Sequence, residues 1–288
     1  MFQDYLFYGT DVNSKYAFRM CHLSHLVQEA QKKHELNGKR GELLGEAMLA
    51  SALTGSILMD EARVNIRFQV GNEYALRTET TRKAEMKAFL QAAPDSALLG
   101  DLDEGIPWTL PMKVVSARSK IKTGKLFESV TEETVSSIEE AYNAHLKNSF
   151  QMNAVAKLEC WEDADGKLHA FGAIWMELPN LPKETKGELY NHIDSIGSLK
   201  DLYNQGDDPD RLASALIPHQ VRAINSMTPK WFCTCSQEAA ERAITSLPIS
   251  EIRSMIEEEK GAEVTCDYCN IKYKVAQSTL EALLPKES

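Results

Sequence analysis

The feature that most constrains this chain is a pair of short motifs near its end, WFCTCSQ at residues 231–237 and TCDYCN at residues 265–270. Four of the six cysteines sit there, spaced C-x-C and C-x-x-C. In an extended segment residues i and i+2 face the same way, so Cys233 and Cys235 can aim both sulfurs at one point while Thr234 faces away. Cys266-Asp-Tyr-Cys269 can form a tight turn that presents two more. Four thiolates converging on one point suit a tetrahedral Zn²⁺, with Zn–S bonds of about 2.3 Å. The expectation is one zinc per reduced chain, held by Cys233, Cys235, Cys266 and Cys269.

The module carrying these motifs, residues 231–288, is of a size whose own apolar core is marginal. Two short helices fit between the cysteine pairs, one after Ser236 and one after Ser250, the latter closed by Gly261. Structural zinc contributes about 10–16 kcal/mol to the folding of small peptides. Metal loss should therefore unfold the module. A zinc-bound thiolate is already deprotonated, which is the form that oxidants attack. Spacing alone leaves two readings open: an inert structural clip, or a thiol switch that holds a metal.

The rest of the chain narrows the classes. Its 288 residues allow one large domain or two ordinary ones, and 43% hydrophobic with 26% charged residues permits a sizeable core. A net charge of −10 works against nucleic-acid backbones and anionic membrane surfaces, which need clustered Lys and Arg. No run approaches the roughly 18 apolar residues of a membrane-spanning helix. The opening MFQDYLFYGTD places Asp4 where a signal peptide would be basic, so a cytoplasmic location with reduced thiols is expected.

Helical spacing predicts a helix over 14–36, with Ser14 as N-cap and Ala17, Met20, Val27 and Ala30 on its stripe, and another over 41–59. Then the period changes: Val64, Ile66, Phe68 and Val70 alternate as one face of a strand, turned at Gly71-Asn72 toward Tyr74 and Leu76. Residues 131–147 read as helix. A hairpin follows, with Ala154, Ala156, Leu158 and Cys160 on one strand, a turn at Asp163–Gly166, and a return over 168–178 with Trp161 and Trp175 facing each other. Strands and helices without regular alternation predict an α+β fold. Residues 1–178 form the expected N-terminal domain and 179–230 a helical, metastable linker, with a short helix from Asp207-Asp208-Pro209 through Arg222. Residues 231–288 form the zinc module.

WFCTCS, the spacer LPISEIRSMIEEEKGAEVTCDYCN and the trailing IKYKV resemble the C-terminal module of the heat shock protein 33 family. The similarity continues through GAIWMELPNLP and IDSIGSLKDLYNQG. Family members carry a Gly-rich, Arg-Gly-Tyr-like stretch where this chain has LRTETTRKAEMKAFLQ, and NSFQMN departs from the motif before the long hairpin. The resemblance implies a redox-regulated holdase chaperone, not an enzyme, that binds unfolding client proteins under oxidative stress. It implies disulfides Cys233–Cys235 and Cys266–Cys269 on oxidation, with zinc release, and a homodimer when oxidised but a monomer when reduced. Twice the strand rise sets Cys233 and Cys235 about 6.6 Å apart at Cα, near the upper limit of about 6.8 Å for a disulfide. Cys266–Cys269 should therefore form first.

Two rivals belong to other classes. A thiol-disulfide oxidoreductase would use C-x-x-C, but the motif lacks a βαβ context. A zinc-module nucleic-acid binder is disfavoured by the acidic charge. Cys21 and Cys160 lie in apolar segments and read as buried inert thiols. His22 and His25 read as ordinary histidines on a helix surface, and Glu257-Glu258-Glu259-Lys260 as a solvated helix end.

Overall fold

The computed structural model describes residues 3–13, 15–58, 61–93, 96–104, 107–120 and 123–284. The chain divides into two compact units between Trp231 and Phe232. The first is built on two sheets and the helix Gly38–Ser56. One sheet has five antiparallel strands in the order Val221–Met227, Tyr5–Asp11, Tyr16–His22, Leu168–Glu177 and Ala154–Glu162. The other has six, ordered Lys230–Trp231, Glu85–Ala92, Tyr74–Thr81, Ala62–Val70, Leu110–Lys120 and Leu126–Val135.

The helix Gly38–Ser56 packs against strands of both sheets and is apolar almost all round, as a helix enclosed on two sides must be. Leu43, Leu44, Met48, Leu49 and Leu53 all lie in the inner core. Gly45 leaves no room for a Cβ, because the Cys160 sulfur occupies that place. The alternating strand is as expected: Val64, Ile66, Phe68 and Val70 face this core, and Gly71 turns at φ +47° so that Val70 pairs Tyr74.

Apart from its exposed edge strand 221–227, the sheet of five strands is apolar on both faces. Along Leu168–Glu177, Leu168, Ala170, Ile174 and Met176 join the inner core while Phe171, Ala173 and Trp175 join a second core on the outer face. Three helices close that outer face: Lys183–Ser195, Leu199–Asn204 and Pro209–Leu216. They contribute Leu189, Ile193, Leu199, Tyr203, Leu212 and Leu216. Polar bonds pin the edges. Trp175 Nε1 donates to Leu216 O (2.9 Å), Lys157 Nζ to Ile196 O (2.9 Å), and Ser198 Oγ and Lys200 N to the Glu159 carboxylate (2.9–3.0 Å).

Several elements differ from the sequence expectation. Residues 16–22 are a strand, and the helix is confined to Ser24–His34; Ser14 lies outside the described residues. The strand is buried on both faces, so its apolar residues do not alternate with polar ones. Residues 126–135 are an edge strand, and the following helix Ile138–Asn148 starts where Ser137 Oγ accepts from Glu140 N. Within 179–230, Asp208 does cap a helix by accepting from Arg211 N (2.9 Å), but the helix stops at Leu216. Residues 221–227 then pair as a strand with Tyr5–Asp11, which satisfies an otherwise open sheet edge. Trp161 faces His169, and Trp175 faces Val155: both indoles lie on the outer face, at opposite ends of the hairpin.

Candidate metal and thiol centre

In the second unit, strands Gly261–Thr265 and Lys272–Ala276 pair antiparallel, with Val264 opposite Tyr273. Between them the C-x-x-C segment closes a turn. Cys266 N donates to Ile271 O (2.9 Å) and Asn270 N to Cys266 O (2.8 Å). Asn270 holds φ +58°, a left-handed conformation that Asn tolerates better than most side chains. Cys233 and Cys235 lie in the irregular segment before helix Gln237–Ile244, whose N-cap Ser236 accepts from Ala239 N (3.2 Å). The next helix, Ile249–Ser254, is preceded by Pro248 rather than capped at Ser250. A π-helical turn, Met255–Glu259, follows. Lys260 ends it at φ +55°, and Gly261 already belongs to the next strand.

The four sulfurs converge. All lie within 4.8 Å of one another, with Cys233 Sγ 3.6 Å from Cys266 Sγ and Cys235 Sγ 3.2 Å from Cys269 Sγ. Tetrahedral bonds of about 2.3 Å require sulfurs about 3.8 Å apart, so the cluster fits a metal ion at its centre. Cys269 is buried and the other three are half-buried. Burial pushes the Cys233 and Cys269 thiols up. Burial also acts against the Cys235 thiolate, but hydrogen bonds from Tyr273 and the neighbouring thiols outweigh it and bring Cys235 down to about 7. A cluster that readily gives up its first proton is prepared for a cation.

Tyr273 is the residue that sequence reasoning missed. Its hydroxyl donates to Cys235 Sγ at 3.1 Å. The alternation of IKYKV after the last cysteine is its only signal in the sequence. Cys21 and Cys160 are buried in the first unit, their thiols held protonated by burial, in line with the inert reading. His22 is not on a helix surface. It is buried in the strand Tyr16–His22, with Ser24 Oγ 2.7 Å and Tyr203 OH 3.1 Å from its Nε2; burial lowers its basicity. His25 lies in the first turn of the next helix, its backbone N donating to Asp4. Among the described residues no helix is long and apolar enough to cross a membrane.

Comparison with known proteins places this arrangement. The chain is 25% identical over 289 residues to the 33 kDa chaperonin of Bacillus velezensis, covering 97% of this chain and 98% of that protein. The 33 kDa chaperonin of Bacillus subtilis matches to the same extent. The crystal structure of the 33 kDa chaperonin (heat shock protein 33 homolog) from Thermotoga maritima shares the fold, with a TM-score of 0.82 over 98% of both chains at 22% identity. The α+β body and its four-thiol module are those of a molecular chaperone. The family model described as Hsp33 protein matches residues 4–276, and the chain belongs to the Hsp33 family.

Proposed function

We propose that the chain is a redox-switched holdase: it binds unfolding client proteins without turnover, in the cytoplasm, and oxidation of its four C-terminal cysteines turns it on. The convergence of Cys233, Cys235, Cys266 and Cys269 carries this reading. The resident metal is zinc, whose chemistry is to hold four thiolates together and so fix the fold of a small module. That module has few other resources. Its buried apolar core comprises Ile244, Ile252, Val275 and Leu280 among the described residues.

A hydroperoxide removes two electrons from one cysteine pair. The first sulfur takes up an oxygen as sulfenic acid; its partner attacks that sulfur, the oxygen leaves as water, and an S–S bond forms. Disulfides Cys233–Cys235 and Cys266–Cys269 consume all four ligands. Residues 231–288 act as this switch, 179–230 as a metastable cover, and 1–178 as the chaperone core. The outer face of the five-stranded sheet supports the assignment of the cover, because Tyr5, Phe18, Phe171 and Trp175 lie directly beneath helices 183–216. Such a face, once open, attracts apolar segments without regard to sequence, as a binder of many clients requires. The active form is a homodimer and the reduced form a monomer.

Zinc release and suppression of thermal aggregation, followed together in a peroxide titration, test the reading. Both should rise in step, and insulin reduction should stay at background. Suppression that is complete before any zinc is released would overturn it.

A further inference from the structure

The two cysteine pairs are not equivalent, and the difference lies in Tyr273. Its strand, Lys272–Ala276, runs directly out of the C-x-x-C turn, yet its hydroxyl reaches the other pair and donates to Cys235 Sγ at 3.1 Å. The helix following Cys235 is tied to the same strand: Gln237 Nε2 donates to Lys274 O (3.0 Å). The Tyr273 hydroxyl is thus bonded directly to a sulfur of the cluster. A hydrogen bond to a thiolate is charge-assisted and engages the lone pair that would attack an oxidant. It therefore lowers the nucleophilicity of that sulfur without removing it from the cluster, as outer-shell partners of metal ligands do.

We propose that Tyr273 is a positioning residue for the thiol switch, acting through Cys235: its O–H···S bond restrains the Cys233–Cys235 pair so that Cys266–Cys269 is oxidised first. The proposal rests on the redox reading above. The oxidant is a hydroperoxide, reduced to water or an alcohol as the sulfurs join. The first disulfide then leaves Cys233 and Cys235 as restrained thiols, around which the module can re-form once Cys266–Cys269 is reduced again.

The test is Tyr273→Phe, which keeps the ring and deletes the donor. Timed alkylation with peptide mass mapping, under peroxide in the cold, gives the formation rate of each disulfide in the same molecules. Cys233–Cys235 should form about 3- to 10-fold faster than in the unaltered chain, the factor set by partial loss of one charge-assisted hydrogen bond, while Cys266–Cys269 keeps its rate. Equal acceleration of both pairs would mean that Tyr273 only braces the module and would overturn the proposal, as would an unchanged ratio. Cobalt provides a second readout that needs no oxidation. The sulfur-to-Co²⁺ charge-transfer band should move to lower energy in Tyr273→Phe, since a sulfur freed of its donor gives up electron density more easily. An unmoved band counts against the proposal. Failure of the unaltered chain to give a four-sulfur cobalt spectrum would instead sink the redox reading and the proposal with it.

Discussion

The two faces of the five-stranded sheet bury similar side chains beneath different covers. The inner face is closed by a helix of 19 residues that also serves the second sheet, flanked by Ser24–His34 and Ile138–Asn148. The outer face is closed by three helices of 13, 6 and 8 residues. Helices shorter than about 12–15 residues have little stability of their own, so the outer cover depends on its contact with the sheet. Covering an apolar face does not by itself make it permanent. The contrast predicts that a cover held by one face opens more easily than one held by two.

Breaking the inner side should have the largest effect. Leu53→Ala removes a fully buried side chain from the helix enclosed by both sheets and should cost about 4 kcal/mol, read as a lower urea midpoint of the whole first unit. The inner layer also holds a buried imidazole. His145 lies 3.0 Å from Thr131 Oγ1 and 2.8 Å from Ser116 Oγ, and burial brings it down to about 4. The unfolded chain takes up that proton near pH 6.5, whereas the folded chain resists until about pH 4. Its stabilising contribution is thus complete above pH 6.5 and is lost as pH falls toward 4, by about 3 kcal/mol. A His145→Gln chain that folds should show a correspondingly shallower fall in urea midpoint between pH 7 and 4.5; an equal fall in both would disprove the assignment.

On the outer side the effect should be smaller and local. Leu212→Ala, at a fully buried position of the cover, should lose about 2–3 kcal/mol. The loss should appear as faster amide exchange across 183–216 with little change in strand 62–70, together with some aggregation suppression before any oxidant is added. Smallest of all, Asp208→Ala removes the N-cap of helix Pro209–Leu216 and should cost about 1 kcal/mol, confined to exchange in that helix. If either outer change lowers the global midpoint as far as Leu53→Ala does, the two covers are equivalent and the contrast fails.

Legibility in the sequence follows the same physical lines. The four cysteines could be read directly, because convergence of C-x-C and C-x-x-C needs only local geometry. The strand 62–70, half-buried with one face to the core, alternated and was plain; Asp208 and Ser236 announced their helices by side chains that satisfy backbone N–H groups. The strand 16–22 was hidden because both its faces are buried, leaving apolar residues at spacings a helix could also explain. Strands 126–135 and 221–227 were hidden for the opposite reason: each is an edge strand, largely exposed, with no buried face to impose a period. Tyr273 could not be recognised as part of the cluster at all, since its bond to Cys235 spans 38 residues and depends on the folded module.

The hydrogen bond from Trp175 to the carbonyl of Leu216 gives the molecule an optical gauge of its own. The indole is buried at the floor of the outer face and its N–H donates to the last helix of the cover. When that helix lifts, the N–H must exchange a backbone carbonyl for water, and the ring loses its apolar ceiling of Leu212 and Leu216. Indole emission moves to the red as the ring is hydrated. Trp161, stacked on His169 at 5.6 Å and edge-on to Tyr203, stands under the middle of the same cover. Two of the four tryptophans therefore report opening of that face in unlabelled protein, in real time.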